Sequence, residues 1–186
     1  MEASTKKKIL IWIAAIAGFL LITAVGVFLY YLAQFARYQD DQYHFSIKYP
    51  KGWQLIVHPQ DTVAVAFLRP KDTSLDTVQE NFNVTVQPIP TDIDSLSAFS
   101  GRIKAQMTGV FGKAINMVED KTIHWGWREG HKMVIEAPKP DNLIMVNAWV
   151  IAKGQAYILT YLGDIDKYPH DSIYINEMIR SLQLQD

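Results

Sequence analysis

Twenty-four consecutive residues, Ile9 to Leu32, read ILIWIAAIAGFLLITAVGVFLYYL and contain neither a charge nor a proline. At 1.5 Å per residue they make a helix of about 36 Å, enough to cross a hydrocarbon core of about 30 Å with some tilt. A single span has to be helical, because only a helix satisfies its own backbone groups in lipid. A cleaved signal peptide has a shorter apolar run and a small-x-small site, whereas here Phe35 stands two residues after Ala33. A buried core helix is the other alternative, and a domain of this size could hardly enclose it. The expectation is an uncleaved transmembrane anchor over residues 9–35, after an N-terminal segment 1–8 and before a short linker 36–42.

The flanks give the orientation. Lys6, Lys7 and Lys8 precede the span, and Arg37, Asp40 and Asp41 follow it. The positive-inside rule places the N-terminus in the cytoplasm and the rest outside a single-pass inner (plasma) membrane, in the periplasm or a lumen. Trp12, Tyr30 and Tyr31 stand where interfacial aromatic belts form. Ala14 and Gly18 lie four apart, and Gly18 and Gly26 eight apart, so all three are helix-packing candidates. The alternative is the general abundance of small residues in membrane helices.

The remaining chain is one domain, expected over 43–186. From Arg37 onward it carries 15 basic and 18 acidic residues. That mild acidity is ordinary solubility and argues against a nucleic-acid partner. The absence of cysteine excludes disulfides, thiol catalysis, iron–sulfur clusters and a lipidated cysteine.

Period-two patterns predict strands over 44–49, 53–57, 62–68, 81–87, 115–118, 122–127, 131–137, 143–152 and 156–161. Arg128-Glu129-Gly130 and Lys153-Gly154-Gln155 read as hairpin turns, so the sheet is antiparallel. Strands apolar on both faces (62–68, 143–152, 156–161) are expected to be central. Leu96, Phe99, Ile103, Met107 and Val110 form a helical stripe after an Asp94 cap, ending at Gly109 or Gly112. Ile175, Met178, Ile179 and Leu182 form another after Pro169, with Asp171 or Ser172 as cap. The fold class is α+β, with six or seven antiparallel strands and helices packed on them.

Motifs for chemistry are scarce. The sequence has no phosphate-binding glycine loop, no G-x-S-x-G and no H-E-x-x-H. His124 and His131 share a hairpin but read as surface residues rather than metal ligands. The carboxylate pairs Asp40–Asp41, Glu119–Asp120 and Asp164/Asp166 fall in expected linkers or turns, where carboxylates are usually solvated. No catalytic, cofactor-binding or metal residue is nominated. Trp125-Gly126-Trp127 is the exception in interest. Two indoles at i and i+2 share a strand face, and beside Arg128 they are partner-contact candidates; the alternative is that they cover the sheet. The polar stretch Arg69–Glu80 reads as a contact loop or a tolerated insertion.

Tyr43-His44-Phe45-Ser46-Ile47-Lys48-Tyr49-Pro50-Lys51-Gly52-Trp53 resembles the opening of the PsbP family domain: an aromatic, a short strand, then Pro-x-Gly-Trp. Val63–Pro70 and Glu80–Val86 resemble its next two strand motifs. Ala156–Tyr161 and the helix carrying Met178-Ile179-Arg180-Ser181-Leu182 resemble its ending. The resemblance implies an αβα sandwich of the PsbP-like or Mog type. It also implies non-catalytic binding to a larger partner. The plant member is an extrinsic lumenal subunit of photosystem II that supports calcium and chloride retention, and a similar fold serves a nuclear-transport factor that binds Ran. A membrane anchor departs from the plant pattern, and no ion-retaining residue carries over. The expected role is a membrane-anchored accessory subunit of an integral membrane complex, with a photosynthetic reaction-centre complex as one host. A small-molecule binding or sensing module is the alternative.

Overall fold

The computed structural model describes residues 2–73, 78–111, 115–137 and 140–185, without the side chains of 2–11, 14, 15, 28, 32, 110 and 111. It divides into two units, residues 1–36 and 37–186. The first is dominated by α1 (Glu2–Ala33), a 32-residue helix. The expected span falls partly on side chains outside the described residues. Among the described residues alone, no helix is long and apolar enough to cross a membrane.

The second unit holds two antiparallel sheets and two helices. Seven strands run β3 (Gln54–Gln60), β4 (Val63–Leu68), β5 (Asn81–Pro88), β6 (Asn116–Trp125), β7 (Arg128–Ala137), β8 (Leu143–Ala152) and β9 (Gln155–Asp164). Their spatial order is β3-β4-β5-β9-β8-β7-β6. β8 and β9 are interior, as their two apolar faces require. β4 lies one place from the edge, and β5 is more central than it. The small sheet consists of β1 (Phe35–Asp40), β2 (Phe45–Pro50) and β10 (Gln183–Leu184), in the order β1-β2-β10. Residues 36–42, expected as a linker, therefore largely hold a strand.

Period-two alternation sends neighbouring residues to opposite faces. Met133, Ile135 and Trp149 join Phe99 and Ile103 of α2 (Leu96–Phe111) in one cluster. Val134, Val146, Ala148 and Val150 join Ile175, Met178 and Ile179 of α3 (Tyr168–Arg180) in the other, together with Phe45 and Ile47 of β2. The seven-stranded sheet thus has α2 on one face and α3 with the small sheet on the other.

Both helix starts come at other residues than the sequence reading gives, α2 by one residue and α3 by four or five. Ser95, not Asp94, caps α2: its Oγ accepts the Ala98 N–H at 3.2 Å. α3 begins at Tyr168 with Pro169 in its first turn, where a missing N–H costs nothing. Asp171 is not a cap but is buried, 1% exposed. Gly109 lies within α2, and Gly112 lies outside the described residues.

Candidate functional site: an arginine-lined groove at a hairpin tip

The β6–β7 hairpin turns earlier than its sequence suggests. Trp125 pairs with Arg128, leaving Gly126-Trp127 as a two-residue loop. Gly126 has φ +62°, the left-handed value a glycine-first hairpin loop needs. The turn breaks the alternation on which a shared Trp face depended, so the two indoles part. Trp125 is 8% exposed and Trp127 is 80% exposed. Of the three partner-contact candidates, Trp125 belongs to the core, and Trp127 with Arg128 forms the outward tip.

Trp125 is held from two sides. Its indole N–H donates to the Ile179 carbonyl near the end of α3. Its ring lies over Gly130, where an added Cβ would run into that ring and the Trp149 carbonyl. The tip is therefore fixed to both sheet and helix. At the tip, the Arg128 guanidinium stands 4.2 Å from the Trp127 ring centroid, a cation–π stack.

Beside this tip lies a groove of about 670 Å³. The hairpin forms one wall, from His124 to Arg128, and the small sheet and the end of α3 form the other. Three of the chain's five arginines, Arg37, Arg128 and Arg180, line it, and no carboxylate does among the described residues. Arg37 Nη1 donates to Ser46 Oγ at 3.1 Å and to Gln183 Oε1 at 2.7 Å, so one guanidinium spans all three small-sheet strands through neutral partners. Arg180, at the C-terminal end of α3, makes no side-chain hydrogen bond or ion pair with the described residues. Elsewhere in the domain, Arg69 pairs with Asp72 and Asp171, and Arg102 with Asp92. Arg37 and Arg180 lie 143 residues apart and only the fold unites them, so no local motif marks the groove.

The remaining candidates are distributed elsewhere. Gly18 and Gly26 lie on α1, and a Cβ at either would meet nothing within 4 Å. The side chain of Ala14 lies outside the described residues. In the hairpin register His131 stands opposite Thr122, and His124 opposite Glu129. His131 pairs with Asp120, and its ring stacks on Trp149 with centroids 5.0 Å apart. Among the described residues, no group of three ligand-type side chains could hold a metal.

Two of the three carboxylate pairs are not the solvated loops expected. Asp40 is 2% exposed and accepts from the Tyr43 N–H and the Tyr38 hydroxyl, each at 2.9 Å. Glu119 and Asp120 lie on β6. A hydrogen bond from Lys104 Nζ at 2.6 Å, with His131 behind it, holds Asp120 below its ordinary carboxyl range. Asp164 and Asp166 do flank a turn, where both accept from the Asn142 amide, at 3.0 and 3.1 Å.

The ends of the Arg69–Glu80 stretch are pinned. Arg69 N–H donates to the Glu80 carbonyl at 2.9 Å. Arg69 Nε lies 3.2 Å from Asp171 Oδ1, and Lys167 Nζ lies 3.1 Å from Glu80 Oε1. Burial pushes the Asp171 carboxyl above its ordinary value, and the Arg69 charge only partly offsets this. These groups, with Asp72 pairing both Arg69 and Lys167, form an ion-pair lock between strand ends and α3. Residues 74–77 lie outside the described ones.

Solved structures share this fold. Cyanobacterial PsbP (CyanoP) from Synechocystis sp. PCC 6803 is similar with a TM-score of 0.61 at 14% identity, covering 82% of this chain and 93% of that one. The Saccharomyces cerevisiae Ran-binding protein Mog1p gives 0.55 at 11% identity, covering 82% and 96%. LpqN of Mycobacterium tuberculosis, involved in cell envelope biogenesis, gives 0.58 at 10% identity, covering 82% and 91%. At such identities the likeness shows the fold alone. No curated protein matches the chain significantly. The PsbP family model matches residues 33–182, which include strands β1 to β9 and both outer helices. This chain belongs to the PsbP family.

Proposed function

We propose that this protein is a non-catalytic accessory subunit, anchored in a membrane by α1, that binds and stabilises a larger integral membrane protein complex. The observation that carries the reading is the surface of α1. Trp12, Ile13, Ile16, Phe19, Leu20, Leu21, Ile22, Val25, Val27 and Leu29 are all at least 49% exposed. They leave no polar face to turn to water, and a helix apolar all round needs lipid or protein about it. The residues of the span whose side chains are not described, Ile9–Ile11, Ala14, Ala15, Phe28 and Leu32, are equally uncharged in the sequence. The three lysines before the span put the N-terminus in the cytoplasm and the PsbP domain in the periplasm or a lumen. Gly18, Gly26 and Ala14 offer a face for close helix packing.

The outer domain docks through the Trp127–Arg128 tip. An exposed indole stacked on a guanidinium, fixed by a buried neighbour, is the composition of an interface anchor. Family membership is consistent with binding rather than catalysis, and makes a photosynthetic reaction-centre complex one host. Tethering raises the local concentration, so a weak outer contact is enough.

Two measurements test the proposal. The full chain should stay in the pellet when native membranes are washed at alkaline pH; release into the wash would refute the anchor. A photo-crosslinker at position 127 should join the chain to one discrete partner, while one at Ile173, exposed on α3, should not. Equal or absent crosslinking at both sites would refute docking through the tip. The groove favours a second reading, a ligand-binding module, because its volume lies within the range of small-molecule sites.

A further inference from the structure

We propose that a second pocket, between the last turns of α3 and strands β6 and β7, is a binding site for a phosphate dianion, free or as the monoester end of a small solute, held among Lys121, Lys132 and Arg180. The pocket has a volume of about 260 Å³ and adjoins the larger groove, with which it shares Trp125 and Arg180.

Geometry is the first argument. Lys121 and Lys132 are direct cross-strand partners, and like charges so placed repel. The chain answers both with one carboxylate: Glu119 Oε1 lies 3.2 Å from Lys121 Nζ and 3.1 Å from Lys132 Nζ. The two ammonium groups therefore meet at a single oxygen atom. Asn176 Oδ1 of α3 accepts a hydrogen bond from Lys132 Nζ at 3.1 Å. Arg180 follows Asn176 by one helical turn on the same face, a spacing of about 5–6 Å between Cβ atoms. It lines the pocket together with both lysines.

Charge is the second argument. Three cations face one carboxylate, and the described lining itself holds no acid. The surplus is two positive charges, which a phosphate dianion neutralises and a single carboxylate or a phosphodiester does not. Lys132 is only 6% exposed, and its ammonium has three donors, of which Glu119 and Asn176 take two. Arg180 adds a planar fork with no side-chain partner of its own among the described residues. Size is the third argument. The pocket lies below the range of about 300–1,000 Å³ that drug-sized ligands occupy, so it suits a small anion.

The test uses the full chain in nonionic detergent micelles at pH 8 and constant ionic strength, and follows indole N–H resonances. Trp125 lines the pocket and reports it. Trp149, buried and bonded to Ser100, reports the intact fold on the opposite sheet face. Inorganic phosphate, glycerol 3-phosphate and dimethyl phosphate are titrated in turn. The expected result is a saturable shift of Trp125 with one or both of the first two, with Trp149 still. A shift with inorganic phosphate alone assigns the free ion, and a shift with glycerol 3-phosphate assigns a monoester. No saturable shift with either overturns the proposal, and so does an equal response to dimethyl phosphate, which carries one charge.

Lys121→Gln and Arg180→Gln should each weaken phosphate binding about five-fold. Glu119→Gln has the opposite sign. It removes the built-in anion and should tighten binding about five-fold, which damage to the pocket would not produce. Unchanged affinity in the first two variants, or unchanged or weaker binding in Glu119→Gln, overturns the proposal. Phosphate binding is read on the isolated chain, so its failure is distinct from failure of the docking reading, which is read in native membranes.

Discussion

The Trp125 indole N–H donates to the Ile179 carbonyl, tying the end of β6 to the last turn of α3 across 54 residues of sequence. This contact fixes the hairpin tip without using the tip's own side chains. Trp127 and Arg128 are thereby left to face outward.

Trp125 and Trp127 should consequently behave as opposites. Trp125→Ala removes a buried indole and should cost about 3–5 kcal/mol. Trp125→Phe keeps most of the packing but strands a carbonyl, and should cost about 1 kcal/mol. Trp127→Ala should lie within about 0.5 kcal/mol of the parent protein, as for an exposed side chain. Denaturant unfolding of the three variants, followed by circular dichroism, checks the order.

Gly130 should not tolerate a side chain. An added methyl would run into the Trp125 ring and the Trp149 carbonyl, neither of which is the loose end of a chain. Gly130→Ala is expected to cost about 1–3 kcal/mol as an overpacked site. Gly52→Ala, where a Cβ meets nothing within 4 Å, is the matched control. A melting temperature for Gly130→Ala no lower than that control would contradict the packing described.

The lock around Arg69 should be costly to open from one side. Arg69→Met leaves Asp171 and Glu80 buried without their shared cation, at an expected loss of about 3–5 kcal/mol. Asp171 also sets a sign. Its carboxyl is raised by burial, so its contribution is full below the ordinary carboxyl value and declines as pH rises through the raised one. Asp120 has the opposite sign. Lys104 and His131 lower its carboxyl, so it contributes above the ordinary value and loses that contribution as pH falls through the lowered one. Asp120→Asn should therefore flatten the acid-side decline in melting temperature. The effect is modest, because Asp120 is one-third exposed. An unchanged acid limb would contradict the assignment.

The docking tip should be separable from the fold. Trp127→Ala is expected to weaken partner binding by about 2 kcal/mol, roughly thirty-fold, if the indole is an interface anchor. The check is the fraction of chain that stays with its complex as the extract is diluted.

The sequence disclosed the regular parts because they are periodic. β5, β8 and β9 appear as alternating or doubly apolar runs, and the stripes of α2 and α3 place Phe99, Ile103, Ile175 and Met178 correctly in the two clusters. β1 was hidden because Phe35–Asp40 contains Arg, Gln and Asp and gains its pairing only from a distant strand. β10 is two residues long, too short for any period. The tip escapes the pattern because a left-handed Gly126 opens the loop two residues ahead of Arg128-Glu129-Gly130. The groove was invisible because its arginines come from the start, middle and end of the domain, and the charge they bring is outweighed in any whole-chain sum. The same holds for the lock, where Arg69, Glu80 and Asp171 read as loop and cap residues until α3 is laid against them.

The most direct test of the central claim is to extract native membranes in a mild detergent and size what migrates with this chain. The account predicts comigration with one large membrane complex, diminished in Trp127→Ala while the variant protein remains folded and in the membrane. Migration of the intact chain alone, as a species of its own 21.2 kDa mass plus detergent, would contradict it.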